Sequence, residues 1–149
     1  MTYGLYTGYG QNNNGFYWGG EFGIEHSTAS ASDRPNAATV AGARSLLADA
    51  TKPAIIAGVQ AREAPEALRA LAHELGCPVL TTYKAKGVIA DSDPLAVGLT
   101  TGGIAEAACL SAADLIILFG FDPIELIPQP WRYDAPILEV GRVAGLPHY

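Results

Sequence analysis

From Asp33 onward the chain exchanges two hydrophobic patterns: apolar residues three or four apart, and short unbroken apolar runs. Val40, Ala43, Leu47 and Ala50 form one apolar stripe, and Asp33 or Asn36 stands where a cap is needed, which predicts a helix ending near Asp49. Lys52-Pro53 stops it. Residues 54–59 (AIIAGV) are a continuous apolar run, the pattern of a strand buried on both faces. The next helix is the best signalled. Pro65 stands near its first turn, Gly76 lies just past its end, and Leu68, Leu71, Ala72 and Leu75 repeat at i, i+3, i+4 and i+7. Residues 78–83 predict a second strand, and after a loop carrying Lys84, Lys86, Gly87 and Pro94, residues 103–113 predict a helix of small residues. A third strand over 114–120 (DLIILFG) leads through Pro123, Pro128, Pro130 and Trp131 to a fourth strand over 136–140.

Strands separated by helical segments need crossover connections, and these produce a parallel sheet covered on both faces. The expected fold is therefore α/β: a doubly wound, Rossmann-like, mostly parallel sheet with helices on both faces and with Leu71 and Ile117 in its core.

Residues 1–32 follow a different pattern. The first 26 residues hold Tyr3, Tyr6, Tyr9, Phe16, Tyr17, Trp18 and Phe22 among many glycines, and no Lys or Arg occurs before Arg34. Asn12-Asn13-Asn14-Gly15 between two aromatic runs is a hairpin signal, because Asn and Gly tolerate positive φ. Three readings stay open for this segment: a flexible tail or sequence foreign to the domain, a strand pair packed on the domain or a partner, and a self-associating tract. Residues 27–32, rich in Ser, Thr and Ala, read as a linker, so the organisation expected is a tail and linker over 1–32 and one domain over 33–149.

Composition narrows the function classes. Hydrophobic residues make up 49% of the chain and charged residues 16%, enough apolar material for one domain with a core. The formal charge of -6 argues against nucleic acid as a partner, since phosphate backbones attract positive surfaces. The longest apolar stretch, 115–121, is far short of the roughly 20 residues of a membrane span. No membrane partner is expected, the N-terminus lacks the pattern of a secretory signal, and the localisation expected is cytoplasmic. Cys77 and Cys109 read as reduced core thiols, too few and too far apart for a disulfide framework or zinc site. His73 beside Glu74 reads as surface, because a catalytic histidine needs a partner acid and a nucleophile in view. His148 falls at the C-terminus, Trp131 reads as a hydrophobic plug over the sheet edge, and neither Ser111 nor Thr82 sits in a Gly-x-Ser-x-Gly elbow.

The ordered set Lys52-Pro-Ala-Ile-Ile-Ala-Gly58, Leu75-Gly-Cys-Pro-Val-Leu-Thr-Thr82, Lys86-Gly-Val-Ile-Ala-Asp-Ser-Asp-Pro-Leu95, Val97-Gly98 and Ala113-Asp-Leu-Ile-Ile-Leu-Phe-Gly120 resembles the central domain of thiamine-diphosphate-dependent decarboxylases and carboligases of the acetolactate synthase and benzoylformate decarboxylase type. The resemblance covers about residues 36–142. It implies a scaffolding role inside an enzyme acting on 2-oxo acids, with thiamine diphosphate and magnesium as cofactors of the parent enzyme, the remaining domains or subunits as partners, and assembly as a homo-oligomer. In that family the activating glutamate and the Gly-Asp-Gly motif belong to the outer domains. No Gly-Asp-Gly occurs in this sequence, and Glu25-His26 reads as a polar pair closing the Gly-rich segment. No catalytic or metal-binding residue is therefore expected here, and the chain alone is expected to be inactive.

The resemblance also implies that some members bind FAD or ADP at the carboxyl ends of the strands, where ligands of open parallel sheets sit. The corresponding positions here are Gly58, Val59 and Gln60, then Thr81, Thr82 and Lys84, then Gly120, Phe121 and Asp122. Of these, Gly58, Val59, Thr82, Lys84, Gly120 and Phe121 are the candidate cofactor-binding residues. A single glycine stands where binders carry two or three, Phe121 replaces an arginine, and Gly141 falls where an aspartate is expected. Each lost partner removes about 1 to 3 kcal/mol, so binding of FAD, ADP or NAD is expected to be weak. Two alternatives to the scaffold stand beside it: a stand-alone nucleotide-binding module, and a protein that self-assembles or binds partners through the N-terminal tract. Family central domains continue past the fourth strand, whereas this sequence ends at Leu146-Pro-His-Tyr149, so a C-terminal truncation and an uncovered sheet edge are expected, an edge the aromatic tract would cover or aggravate.

Overall fold

The computed structural model describes residues 4–13, 16–21, 37–125 and 131–141. The expected turn at Asn14-Gly15, the pair Glu25-His26, the linker over 27–32, the caps Asp33 and Asn36, the Pro128-Gln129-Pro130 turn and His148 lie outside them. The elements are β1 (Gly4–Asn13), β2 (Phe16–Glu21), α1 (Ala37–Asp49), β3 (Pro53–Ala57), α2 (Pro65–Leu75), β4 (Val79–Thr81), β5 (Ala96–Leu99), α3 (Ile104–Ser111), β6 (Leu115–Phe119) and β7 (Ile137–Gly141), with short 3-10 turns at Val59–Glu63, Tyr83–Ala85 and Pro123–Glu125.

The described strands form one sheet in the order β2-β1-β7-β6-β3-β4-β5. The strands from β3 to β7 all run parallel. β3 lies in the middle, the chain builds outward through β4 and β5, and it then returns to the other side of β3 for β6 and β7. The fold is thus the expected doubly wound α/β sheet, with its topological switch between β3 and β6.

Both faces of the sheet are covered. Ile55 and Ala57 of β3, Leu115, Ile117 and Phe119 of β6, and Leu138 of β7 point to one side, where Ala43 of α1 and Leu68 and Ala72 of α2 pack on them. Ala54, Ile56, Ile116, Leu118 and Ile137 point to the other, against Leu110 of α3 and the segment holding Trp131 and Tyr133. Adjacent residues of a strand face opposite layers, which is why these strands read as unbroken apolar runs. Trp131 stacks edge-on against Tyr133, ring centroids 5.1 Å apart, as part of this second layer. Within α2, Leu68 is fully buried while Leu71 is only half-buried, so the helix turns its stripe slightly away from the expected centre. Gly76 ends α2 in the left-handed conformation with its N–H on the Ala72 and His73 carbonyls.

Two differences from the expected elements have local causes. β5 falls in what reads from sequence as loop, because it is a short edge strand with Val97 and Gly98 exposed and so shows no apolar run. The strands β3 and β4 stop at Ala57 and Thr81, and the residues that follow turn into 3-10 structure, so Val59 and Tyr83 belong to strand-end loops.

At the N-terminus, β1 pairs antiparallel with β2 in a register that sets Asn13 opposite Phe16, and pairs antiparallel with β7 from Gly4 opposite Gly141 to Gly8 opposite Ile137. Of the three readings of this segment, the pairing is that of a strand pair on the domain, and β1 covers the outer edge of β7. Among the described residues no helix is long and apolar enough to cross a membrane.

Candidate functional site

The switch between β3 and β6 brings Gly58 and Gly120 together at the carboxyl ends of adjacent strands. Gly58 N–H donates to the Phe119 carbonyl at 2.9 Å, and Gln60 N–H to the Gly120 carbonyl at 2.9 Å. A Cβ on Gly58 would overlap the Phe121 backbone and stand 2.6 Å from the Gly120 carbonyl oxygen. Gly120 has φ +61°, and a Cβ there would overlap the Ala61 amide. Glycine is required at both positions because the loops touch backbone to backbone.

Beside this contact lies a carboxylate that sequence reasoning missed. Glu125, on the turn Pro123–Glu125, accepts the Val59 N–H at 2.8 Å and the Asp122 N–H at 3.1 Å on Oε2, and the Thr82 hydroxyl at 2.6 Å on Oε1. Thr82 in turn accepts the Ala85 N–H at 3.2 Å, so its hydroxyl proton is free to serve Glu125. Asp122 Oδ1 accepts the Ile124 N–H at 3.1 Å. Asp122 and Glu125 therefore form an Asp-x-x-Glu capping pair on the turn, with Pro123 in its first position, and that signal was legible in the sequence.

Of the candidate cofactor-binding residues, Val59 and Thr82 bond this carboxylate, Gly58 lies against it, and Gly120 and Phe121 lie against Gly58. Lys84 lies exposed on the turn Tyr83–Ala85. Lys86 is also exposed and pairs with Asp91 at 3.2 Å. The groups that a nucleotide phosphate would use, the Val59 amide and the Thr82 hydroxyl, are engaged by Glu125. In this arrangement the residues do not fit the nucleotide that the resemblance implies.

No Gly-Asp-Gly exists in the chain, and among the described residues no three of His, Cys, Asp and Glu come close enough to share a metal ion. Other titratable groups serve the framework. His73 is half-exposed, as expected, yet it has an acid partner, Asp93, at 2.9 Å. The Leu95 amide, with the His73 ring beside it, holds Asp93 below the ordinary carboxylate value. Buried Glu106 accepts the Thr101 and Gly102 amides ahead of α3 and the Tyr133 hydroxyl at 3.3 Å. Burial, and then the Glu106 charge, raises the Tyr133 phenol. Both cysteines are free thiols; burial pushes Cys77 up to about 11 and also raises Cys109, so neither is an activated nucleophile.

Comparison with known proteins bears on the family. Residues 40–141 match the thiamine pyrophosphate enzyme, central domain. The chain is 37% identical over 91 residues to an acetolactate synthase of Mycobacterium leprae, an alignment covering 58% of this chain and 15% of that protein. It is 36% identical over 102 residues to 2-hydroxyacyl-CoA lyase 1 of Mus musculus, covering 66% of this chain and 17% of that protein. A pyruvate oxidase of Lactiplantibacillus plantarum is 32% identical over 88 residues, 58% of this chain and 15% of its own length. The chain thus spans only 15% to 17% of the length of these curated relatives. A match across most of the chain, over a sheet wound in the expected order, means that the protein belongs to the family of thiamine pyrophosphate enzyme central domains.

Proposed function

We propose that this chain is the scaffolding part of a thiamine-diphosphate- and magnesium-dependent decarboxylase or carboligase acting on 2-oxo acids, and performs no turnover of its own. The observation that carries this reading is the family match over residues 40–141 in a chain without a Gly-Asp-Gly motif. On this reading the partners are the remaining domains or subunits of that enzyme, the assembly is a homo-oligomer, and the compartment is the cytoplasm. The unit that does the scaffolding is residues 33–149, with residues 1–32 as an addition to it.

A nucleotide site at Gly58, Val59, Thr82, Lys84, Gly120 and Phe121 has only its strand-end position in support. The deciding experiment is calorimetry with thiamine diphosphate and magnesium, together with a pyruvate turnover assay, on the pure chain. No heat of binding and no turnover are expected. Turnover above background that disappears on adding a chelator would overturn the reading.

A further inference from the structure

We propose that Glu125 is the resident anion of the strand-end crevice: its carboxylate takes the place of a ligand phosphate, ties the loops after β3, β4 and β6 together, and closes the crevice to nucleotides. The inference stands on the geometry of the crevice and not on the scaffold reading, so either can fail without the other.

In an open parallel sheet the amides just past the strand ends point into the crevice at the switch, and they suit an oxyanion. Here those donors are the Val59 amide after β3 and the Asp122 amide after β6, joined by the Thr82 hydroxyl after β4. Three donors from three loops converge on one carboxylate, two on Oε2 and one on Oε1. Their distances, 2.8, 3.1 and 2.6 Å, are those of hydrogen bonds to a charged acceptor.

Space points the same way. Thr82 is buried at 4% exposure, and Glu125 is half-buried over it. On the neighbouring side, the Gly58 and Gly120 loops meet backbone to backbone, which leaves no gap for a pyrophosphate between them. The turn Pro123–Glu125 is held from within by the Asp122 carbonyl on the Glu125 N–H at 2.8 Å and by Asp122 Oδ1 on the Ile124 N–H. The carboxylate is therefore presented to the crevice by a preformed turn, which lowers the entropy lost in placing it. A free phosphate competes against a carboxylate already tethered at the site, and the tether supplies a high effective concentration.

The test uses the full chain and the variants Glu125→Ala and Glu125→Gln. Melting temperatures are measured with and without sodium phosphate, pyrophosphate and acetate at constant ionic strength, and ADP binding is measured by calorimetry. The wild-type chain is expected to ignore all four. Glu125→Ala is expected to melt lower, to regain stability with the anions, and to bind ADP or pyrophosphate at least tenfold more tightly than wild type. Glu125→Gln, which keeps the volume and loses the charge, is expected to melt lower than wild type and to show no anion rescue. If Glu125→Ala does not fold, the Gln variant decides, and a melting temperature equal to wild type overturns the proposal. A folded Glu125→Ala protein indifferent to every anion would also overturn it, as would ADP binding by wild type as tight as by the variant.

Discussion

Ile117 illustrates how much a single position in this sheet depends on its layer. It sits at the centre of β6, fully buried, with Ile55 of the neighbouring strand level with it. Ile117→Ala should cost roughly 2 to 5 kcal/mol, because the transfer energy of the lost atoms adds to that of the cavity they leave. Leu71, half-buried on α2, should cost less, about 1 to 2 kcal/mol, since part of its surface is already in water. Gly120→Ala belongs with the severe changes. It forces a left-handed residue, at about 1 to 2 kcal/mol, and also drives a methyl group into the Ala61 backbone. Thermal melts of the three variants should rank Leu71→Ala as the mildest, and a Gly120→Ala protein as stable as wild type would refute the contact between the strand-end loops.

At the level of elements, the N-terminal hairpin and β7 form the most informative pair. β7 is bonded to β6 on one side and to β1 on the other, so β1 satisfies backbone groups that would otherwise form a sheet edge. Edge groups left open recruit other chains. Deleting residues 1–32 should therefore lower the melting temperature and raise the mass seen by light scattering, while leaving the residues around Glu125 as they are. A truncated chain with unchanged melting temperature and mass would show that the β1–β7 ladder contributes nothing. The free edge beside the fourth strand was legible as a place this tract would cover or aggravate, but Asn12-Asn13-Asn14-Gly15 signals only a turn, and nothing local chose between those two outcomes; the β1–β7 ladder did.

Across the whole molecule, two carboxylates clamp the β3–β6 pair at its two ends. Glu125 works at the carboxyl ends, and Asp114 at the amino ends, where it accepts the Thr51 N–H at 2.8 Å, the Thr51 hydroxyl at 2.6 Å and the Lys52 N–H at 2.8 Å. The Thr51 hydroxyl, followed by the two amides, holds Asp114 below the ordinary value of 3.8. A carboxyl depressed in the folded state stabilises the fold above its unfolded value, and this contribution disappears as pH falls through the folded value. Melting temperatures recorded from neutral pH down to about 3 should show that loss below about 4, and Asp114→Asn should remove part of it. An identical acid profile in the variant would show that Asp114 is not among the groups responsible.

The periodic elements and their order are written locally along the chain. Helix stripes and unbroken strand runs are local records of burial on one face or two, and the doubly wound sheet followed from them, whereas the family resemblance rested on the ordered motifs from Lys52 to Gly120. The sequence also located Gly58, Thr82 and Gly120 at strand ends, since each follows an apolar run. Tertiary structure alone decided what those ends do. Glu125 lies 66 residues from Val59 and 43 from Thr82, so its capping signal in Asp122-Pro-Ile-Glu125 could be read locally, whereas its bonds to the other two loops could not. β5 escaped the pattern for a related reason: an exposed four-residue edge strand is defined by the hydrogen bonds β4 offers it, and not by its own apolar content.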